Sequence, residues 1–168
     1  MEKAHLDYAI GGAVAMAAYG YQRNTTDIDL FAHHKQKPQV LQLLRKMGLE
    51  VVPVFRGAHY LARVPGVPLT RLSLDILFPA QEPDVSAVDL PETVQLEGVR
   101  FEAFPLSLLF LAKAQAIFDN GDPDKKHESD LRHLLNEGFA DDAEILVYAK
   151  RLGMERKTRG LLRRLRKP

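Results

Sequence analysis

The segment from residue 27 to residue 32 constrains the fold more than any other part of the sequence. It reads Asp-Ile-Asp-Leu-Phe-Ala, so aliphatic or small residues alternate with two aspartates and a phenylalanine. This period of two predicts a β-strand with one apolar face. Because Asp27 and Asp29 are two residues apart, their carboxylates project from the other face, close together. Like charges at that spacing repel unless a cation lies between them, and a site made only of oxygen ligands suits Mg²⁺.

A third carboxylate occurs in a later predicted strand, Arg71–Phe78. There Asp75 points away from the main apolar row, which is unusual for a charged group in a strand. Three carboxylates on neighbouring strands can hold two metal ions roughly 4 Å apart, the arrangement used in phosphoryl transfer. The alternative is that Asp27 and Asp29 are simply exposed, or that Asp27 caps the turn after Thr25-Thr26.

Two adjacent glycines, Gly11 and Gly12, lie between a short apolar segment, Tyr8–Ile10, and an alanine-rich stretch, Ala13–Tyr19. The first segment reads as a strand and the second as a helix. Glycines at such a junction let backbone N–H groups approach a phosphate, and the helix N-terminus adds partial positive charge. A glycine pair alone is usually just a turn, but this one precedes the two aspartates.

The remaining periodic segments divide the chain into two halves. In the first half the pattern predicts a helix over Pro38–Met47, strands over Glu50–Phe55 and His59–Val64 joined at Arg56-Gly57-Ala58, and a hairpin over Thr93–Phe104. In the second half helical spacing covers Leu106–Phe118, Lys125–Asn136, Asp142–Leu152 and Glu155–Arg166. We therefore expect an α/β core over residues 1–104 and a helical region over residues 105–168 packed on that core.

Composition excludes several classes of protein. The chain has no cysteine, which rules out disulfides and thiolate metal ligands. Its first apolar stretch, residues 8–19, lacks a basic leader, and no stretch approaches the roughly 20 apolar residues of a membrane span. We expect a soluble, cytoplasmic protein without a membrane partner.

Basic residues are concentrated at the C-terminus. Residues 150–168 contain nine Lys or Arg and one acid, Glu155, although the formal net charge of the whole chain is only +1. Such asymmetry favours an anionic partner, nucleic acid in particular. An equally good interpretation is a solvated helix whose last cations complement the helix dipole.

The ordered motifs resemble the nucleotidyltransferase superfamily with the DNA polymerase beta-like fold. They are Ile10-Gly11-Gly12, then Asp27-Ile28-Asp29-Leu30 after fourteen residues, and later Leu74-Asp75-Ile76. From Tyr8 to Leu30 the chain is most similar to the small bacterial branch that includes AbiEii-type toxins and the aminoglycoside and lincosamide nucleotidyltransferases. That similarity includes Arg23, Thr25 and Thr26.

The resemblance implies an α/β (α+β) fold, with a mixed-sheet core followed by a C-terminal helical bundle. It also implies that Lys113 on one helix and Lys126 on the next face the triphosphate, while Asp130 helps to orient its helix. An ordinary surface pair of Lys126 with Asp130 is the alternative. Lys113 lies in a very apolar helix, where a charge normally needs a partner such as phosphate. This chain departs from the family pattern at Gly12, where serine is common, and at His127, where an acid is frequent.

The implied activity is metal-dependent transfer of a nucleotide from an NTP to a hydroxyl, with release of pyrophosphate. Asp27 and Asp29 would bridge two Mg²⁺ ions, with Mn²⁺ as an alternative ion, and Asp75 would hold the catalytic one and activate the hydroxyl. The implied nucleotide-binding residues are Gly11, Gly12, Arg23, Thr25, Thr26, Lys113 and Lys126.

The acceptor is less constrained than the reaction. In this branch it is an antibiotic hydroxyl, a protein side chain or an RNA end, and the basic tail favours RNA, with tRNA as the natural candidate for a toxin. Because this branch includes AbiEii-type toxins, a cognate antitoxin is a candidate partner. Other interpretations are a catalytically inactive module with this fold, or a nucleic-acid-binding domain in which the carboxylates are incidental.

Overall fold

The computed structural model describes residues 6–55, 57–68 and 73–166. Contacts between Cα atoms divide the chain into two compact units, Met1–Phe104 and Pro105–Pro168. Parts of three predictions lie outside the described residues: Arg56 of a hairpin, Arg71 and Leu72 of a strand, and Lys167 and Pro168 of the basic tail.

The first unit is built on one mixed β-sheet. Within the described residues the sheet has seven strands, in the spatial order β3-β4-β5-β2-β1-β7-β6. Their bounds are β1 Tyr8–Ile10, β2 Asp27–Ala32, β3 Glu50–Phe55, β4 His59–Arg63, β5 Ser73–Leu77, β6 Glu92–Leu96 and β7 Val99–Ala103. Strand β2 pairs in parallel with β5, and β1 with β7, whereas the other neighbours are antiparallel. The predicted α/β class is confirmed.

Three helices belong to the first unit: α1 Gly12–Ala18, α2 Lys37–Lys46 and α3 Asp84–Asp89. The first two were predicted to within one or two residues, and a 3₁₀ turn over His34–Gln36 precedes α2. Helix α3 is absent from the sequence prediction. With six residues it is too short to show a helical period, so its only local signal is the loop-like Glu82-Pro83 before it.

Helix α2 covers the apolar face of the sheet. Its buried residues Val40, Leu41 and Leu44 belong to the same core cluster as Leu30 of β2 and Ile76 of β5. Each such side chain contributes roughly 1.5–3 kcal/mol when it is fully buried. Because side chains alternate along a strand, burying Leu30 and Ile76 fixes their neighbours on the opposite face.

Strand register decides which residues meet on that opposite face. In the parallel pair, Leu30 lies beside Ile76 and Asp29 lies beside Asp75. A slip of one residue would move Ile76 out of the core, so the apolar face holds the register. The core therefore places the two aspartates side by side.

The second unit consists of helices. The four found in the described part are α4 Leu106–Asn120, α5 Lys126–Asn136, α6 Asp142–Arg151 and α7 Glu155–Leu165, as predicted apart from small shifts at their ends. Helix α4 buries residues on nearly all sides, including Leu108, Phe110 and Leu111. Among the described helices, none combines the length and apolarity needed to cross a membrane.

Candidate metal and nucleotide site

Three aspartates from two strands converge on the face of the sheet opposite α2. Asp27, Asp29 and Asp75 each offer a carboxylate oxygen, and these three oxygens all lie within 4.8 Å of one another. Each of the three residues is half-buried, so the site is partly enclosed by protein and still accessible to solvent. The structure therefore brings together the three carboxylates that the sequence singled out, and oxygen ligands of this kind fit a hard divalent cation.

Asp29 is packed tightly against the glycine pair. A Cβ atom built on Gly12 would lie 1.7 Å from Asp29 Oδ2, and Gly12 has φ +59°. Both the space and the backbone angle therefore require glycine here. The serine that the resemblance leads us to expect here would therefore not fit this conformation of the chain.

The backbone of Gly11 is used inside the sheet. Its N–H donates to the carbonyl oxygen of Asp29 at 2.9 Å. The donor that the sequence prediction reserved for phosphate at Gly11 is thus already occupied. Gly12 is the first residue of α1, and contact of its N–H with a phosphate stays a prediction.

The loop before β2 contacts the first aspartate. The Thr25 hydroxyl donates to Asp27 Oδ1, so one carboxylate oxygen has a protein partner. The carbonyl oxygen of Thr26 accepts from the N–H of Ser73 at 2.9 Å and ties this loop to the start of β5. Arg23 lies half-buried in the same loop, and its contact with nucleotide stays a prediction.

Asp75 has a partner that the sequence did not predict. His59 Nε2 lies 2.6 Å from Asp75 Oδ1, and the two side chains are 30% and 21% exposed. Leu61 is the register partner of Asp75, so His59, two residues away on the same face, is its diagonal neighbour. The alternating pattern of β4 places His59 and Leu61 on one face of the strand. It does not identify Asp75 as their neighbour until the β4–β5 register is known.

A fourth carboxylate, Asp84 of α3, lies within electrostatic range of the site. Burial, then the nearby charges of Glu82 and Asp29, raise the pKa of Asp84 from 3.8 to about 6. Sequence reasoning missed this residue because α3 has no periodic signal. Burial is the main reason for the raised pKa, and the charge of Asp29 adds to it.

Replacing Asp84 with asparagine is expected to stabilise the metal-free protein. A carboxyl whose pKa is higher in the folded state costs nothing below the unfolded pKa of 3.8 and carries its full penalty above about 6. With chelator present, Asp84→Asn should therefore raise the free energy of unfolding at pH 8 by about 2–3 kcal/mol. The gain should shrink as the pH falls through 6 and vanish near pH 3.8.

Urea unfolding at several pH values checks this result. Asp7→Asn is the matched control, because Asp7 is exposed in the same unit and its bonds to Gln36 use an oxygen that asparagine retains. A gain from Asp84→Asn that does not change with pH would show that charge is not its cause.

The predicted lysines and the supporting aspartate belong to the helical unit. Lys113 Nζ lies 2.7 Å from Asp130 Oδ2, and both side chains are buried, at 8% and 2% exposure. The charge on the apolar helix α4 thus has a carboxylate partner inside the protein. Lys126 is exposed at the start of α5, and its pairing with Asp130 stays a prediction.

His127, next to Lys126, borders the same buried pair. Burial first, and then the charge of Lys113, lower the pKa of His127. Asp122 accepts from the N–H of Glu128 at 2.7 Å and so satisfies the N-terminus of α5. Contact of Lys113 and Lys126 with a nucleotide stays a prediction.

Comparisons with known proteins address the fold. No family model matches the sequence, and no curated protein matches it. Among solved structures, the chain is similar to ANT(2'')-Ia in complex with adenylyl-2''-tobramycin, with a TM-score of 0.63 and 17% identity. That match covers 97% of this chain and 91% of the other.

Two further structures have the same fold. The lincosamide antibiotic adenylyltransferase LnuA, with lincomycin bound, matches with a TM-score of 0.50 and 17% identity over 79% of this chain and 88% of its own. An antigenic nucleotidyltransferase-like protein from Paracoccidioides brasiliensis matches with a TM-score of 0.54 and 20% identity over 77% of this chain and 67% of its own. At these identities the likeness establishes the fold and not the reaction. The chain has the fold of nucleotidyltransferases.

Proposed function

We propose that this protein transfers a nucleoside monophosphate from an NTP to an acceptor hydroxyl and releases pyrophosphate. The proposal rests on one observation: a carboxylate oxygen from each of Asp27, Asp29 and Asp75 lies within 4.8 Å of the other two. The protein that holds them shares its fold with adenylyltransferases. Carboxylates this close repel one another, and a bound cation would relieve that repulsion. Asp29 also contributes, after burial and the charge of Glu82, to the raised pKa of Asp84.

The carboxylates suit two Mg²⁺ ions, or Mn²⁺ in their place. Asp27 and Asp29 would hold both ions, and Asp75 would hold the one nearer the acceptor. When bound, such ions supply charge neutralisation for the triphosphate and the attacking oxygen. Gly12, Arg23, Thr25 and Thr26 lie on α1 and on the loop before β2, and we assign them to nucleotide contact together with Lys113 and Lys126.

The residues of the chain would then position the two reactants and accept the proton of the acceptor hydroxyl. The acceptor hydroxyl forms a bond to the α-phosphorus, the bond from that phosphorus to the β-phosphate oxygen breaks, and pyrophosphate leaves. The hydroxyl proton passes to a carboxylate oxygen of Asp75. Most of the rate enhancement would come from positioning and electrostatics rather than from covalent chemistry.

Labelled NTPs test this proposal directly. The protein, Mg²⁺ and each of four α-labelled NTPs are incubated with total RNA in one arm and with aminoglycosides and lincosamides in another. Transfer of label that stops on addition of EDTA supports the proposal. Absence of transfer in every arm, together with no Mg²⁺-dependent NTP binding by calorimetry, would overturn it.

RNA, and tRNA in particular, is the acceptor that the helical unit supports. Helix α7 carries five Lys or Arg and one acid, and it buries Leu161, Leu162 and Leu165 so that its cations face outward. A cavity of about 480 Å³ lies between α6 and α7 and is lined by Asp142, Leu146, Arg159, Leu162, Arg163 and Arg166. Arginines along such a groove suit the phosphates of a nucleic acid. Toxin activity and an antitoxin partner stay predictions of the resemblance alone.

Arg163→Glu is the variant that best tests RNA binding. Arg159 pairs with Glu155, and Arg166 pairs with Asp142, so a change at either would also remove an ion pair. Arg163 is exposed and lines the groove. We expect weaker tRNA binding, with the slope of log K against log salt reduced by about 0.7–1 for a lost phosphate contact.

The control is Arg45→Glu, which makes the same change in net charge at an exposed position of α2. Fluorescence titrations with labelled tRNA at several salt concentrations compare the two variants. Equal binding by the Arg163→Glu variant and the wild type would remove the groove from the RNA-binding surface.

An antibiotic hydroxyl is the second candidate acceptor. It is favoured by the similarity to ANT(2'')-Ia, solved with an adenylylated tobramycin, and to LnuA, solved with lincomycin. The antibiotic arm of the labelling experiment separates it from RNA, because label then appears on a small molecule and not on a polynucleotide.

A further inference from the structure

The contact between His59 and Asp75 is the basis of a further inference, which rests on the proposed function. His59 Nε2 lies 2.6 Å from Asp75 Oδ1, and the imidazole is 30% exposed. The ring is held from β4, the strand next to β5 on the side away from Asp29. His59 is therefore a neighbour of the carboxylate cluster and not one of its three members.

The chemistry of the two groups fixes the direction of this hydrogen bond. An ionised carboxylate only accepts, so the imidazole N–H must donate to Asp75 Oδ1. A neutral imidazole in the Nε2–H tautomer and an imidazolium both provide that donor, so the bond does not depend on the charge of the ring. One oxygen of Asp75 is thereby held, and the other is left for a cation.

The first aspartate has an equivalent arrangement. The Thr25 hydroxyl donates to Asp27 Oδ1, so Asp27 and Asp75 each have one oxygen held by a neighbouring side chain. Without such donors, repulsion between Asp29 and its register partner Asp75 would favour rotation of the Asp75 carboxylate away from the cluster. A donor on the far side opposes that rotation.

We propose that His59 is a positioning residue of the metal site, whose N–H fixes the Asp75 carboxylate in the orientation that binds the cation. Partners that orient metal-binding carboxylates typically contribute about 10- to 100-fold to metal affinity or activity. His59 acts through Asp75, so its removal should weaken the binding of a divalent ion even when no nucleotide is present.

Two substitutions separate the donor from the rest of the ring. His59→Ala removes the N–H, whereas His59→Gln keeps an amide N–H that reaches about as far as Nε2. Mn²⁺ affinity of the NTP-free protein is measured by electron paramagnetic resonance, and kcat by the labelling assay. We expect His59→Ala to weaken Mn²⁺ binding about 10- to 100-fold and to lower kcat, and His59→Gln to recover most of both.

A second histidine of the same unit provides the control. His33 Nε2 lies 3.0 Å from Asp89 Oδ1, and at 29% exposure its side chain is as accessible as that of His59. Asp89 is not one of the clustered aspartates. His33→Ala should therefore leave Mn²⁺ affinity and kcat unchanged, and thermal unfolding of all variants reports on the fold.

The outcomes distinguish the positioning role of His59 from the proposed function on which it rests. Wild-type Mn²⁺ affinity in the His59→Ala variant would overturn the positioning role, as would a Gln variant as weak as the Ala variant, since that result indicates direct coordination by the ring. A wild-type protein that binds Mn²⁺ through Asp75 but neither transfers a nucleotide nor binds an NTP would overturn the proposed function and leave the role of His59 standing. Absence of Mn²⁺ binding by the wild type would overturn both.

Discussion

Replacing Asp29 with asparagine is expected to abolish nucleotide transfer while leaving the fold intact. Asparagine has the same shape, and the backbone carbonyl that accepts from Gly11 is unchanged. The variant loses a carboxylate at the centre of the cluster, where cations would supply several kcal/mol of transition-state stabilisation. A loss of that size corresponds to about a thousand-fold or more in kcat/KM.

We expect Asp29→Asn to lower the activity without lowering the free energy of unfolding. Asp29 is one of the charges that raise the pKa of Asp84, so removing it relieves repulsion in the metal-free protein. We expect Asp29→Asn to unfold at the same or a higher urea concentration than the wild type. This combination separates loss of chemistry from loss of structure.

Transfer of α-labelled NTP and urea unfolding check these results on the same preparation. Asp89→Asn is the control, because it removes a charge from the same unit but outside the cluster. Full transfer by the Asp29→Asn variant would contradict the carboxylate mechanism.

The second large effect is expected at the buried pair of Lys113 and Asp130. Asp130→Leu leaves the Lys113 ammonium buried at 8% exposure without its carboxylate. Breaking such a pair from one side costs about 3–5 kcal/mol, because an uncompensated charge stays out of water. Urea unfolding followed by far-ultraviolet circular dichroism should show this loss in the helical unit.

The double variant Lys113→Met with Asp130→Leu tests what the lysine is for. Replacing both partners by apolar groups of similar volume should recover most of the stability, since neither charge remains. If Lys113 also contacts the triphosphate, this folded variant will have a raised KM for NTP. Recovered stability with an unchanged KM would confine Lys113 to a structural role, and failure to recover would show that the pair is not the source of the loss.

The sequence predicted side-chain direction best where the alternating pattern lies within a single strand. Alternation in β2 and β5 placed Asp29 and Asp75 on the face away from Leu30 and Ile76, and the structure has this arrangement. The α/β class and the helical second half were also predicted correctly, because periods of two and 3.6 residues persist over long enough segments.

Partners across the fold were not predictable in the same way. The apolar sequence around Lys113 indicated that its charge needs a partner, but it could not select Asp130 over a phosphate. His59 contacts Asp75 only because β4 pairs with β5 in one particular register. Similarly, the packing of Gly12 against Asp29 depends on a backbone angle and a close approach that no local pattern encodes.

The parallel pairing of β2 with β5 also determines when a metal site can exist. These strands are separated along the chain by α2, β3 and β4, so bringing Asp29 and Asp75 together requires closing a long loop of chain, at a cost in conformational entropy. An unfolded or half-folded chain would present scattered acids with little attraction for magnesium. On the proposed function, the ion is therefore a ligand of the native state alone, and the folded population would grow with its concentration even in the absence of any substrate.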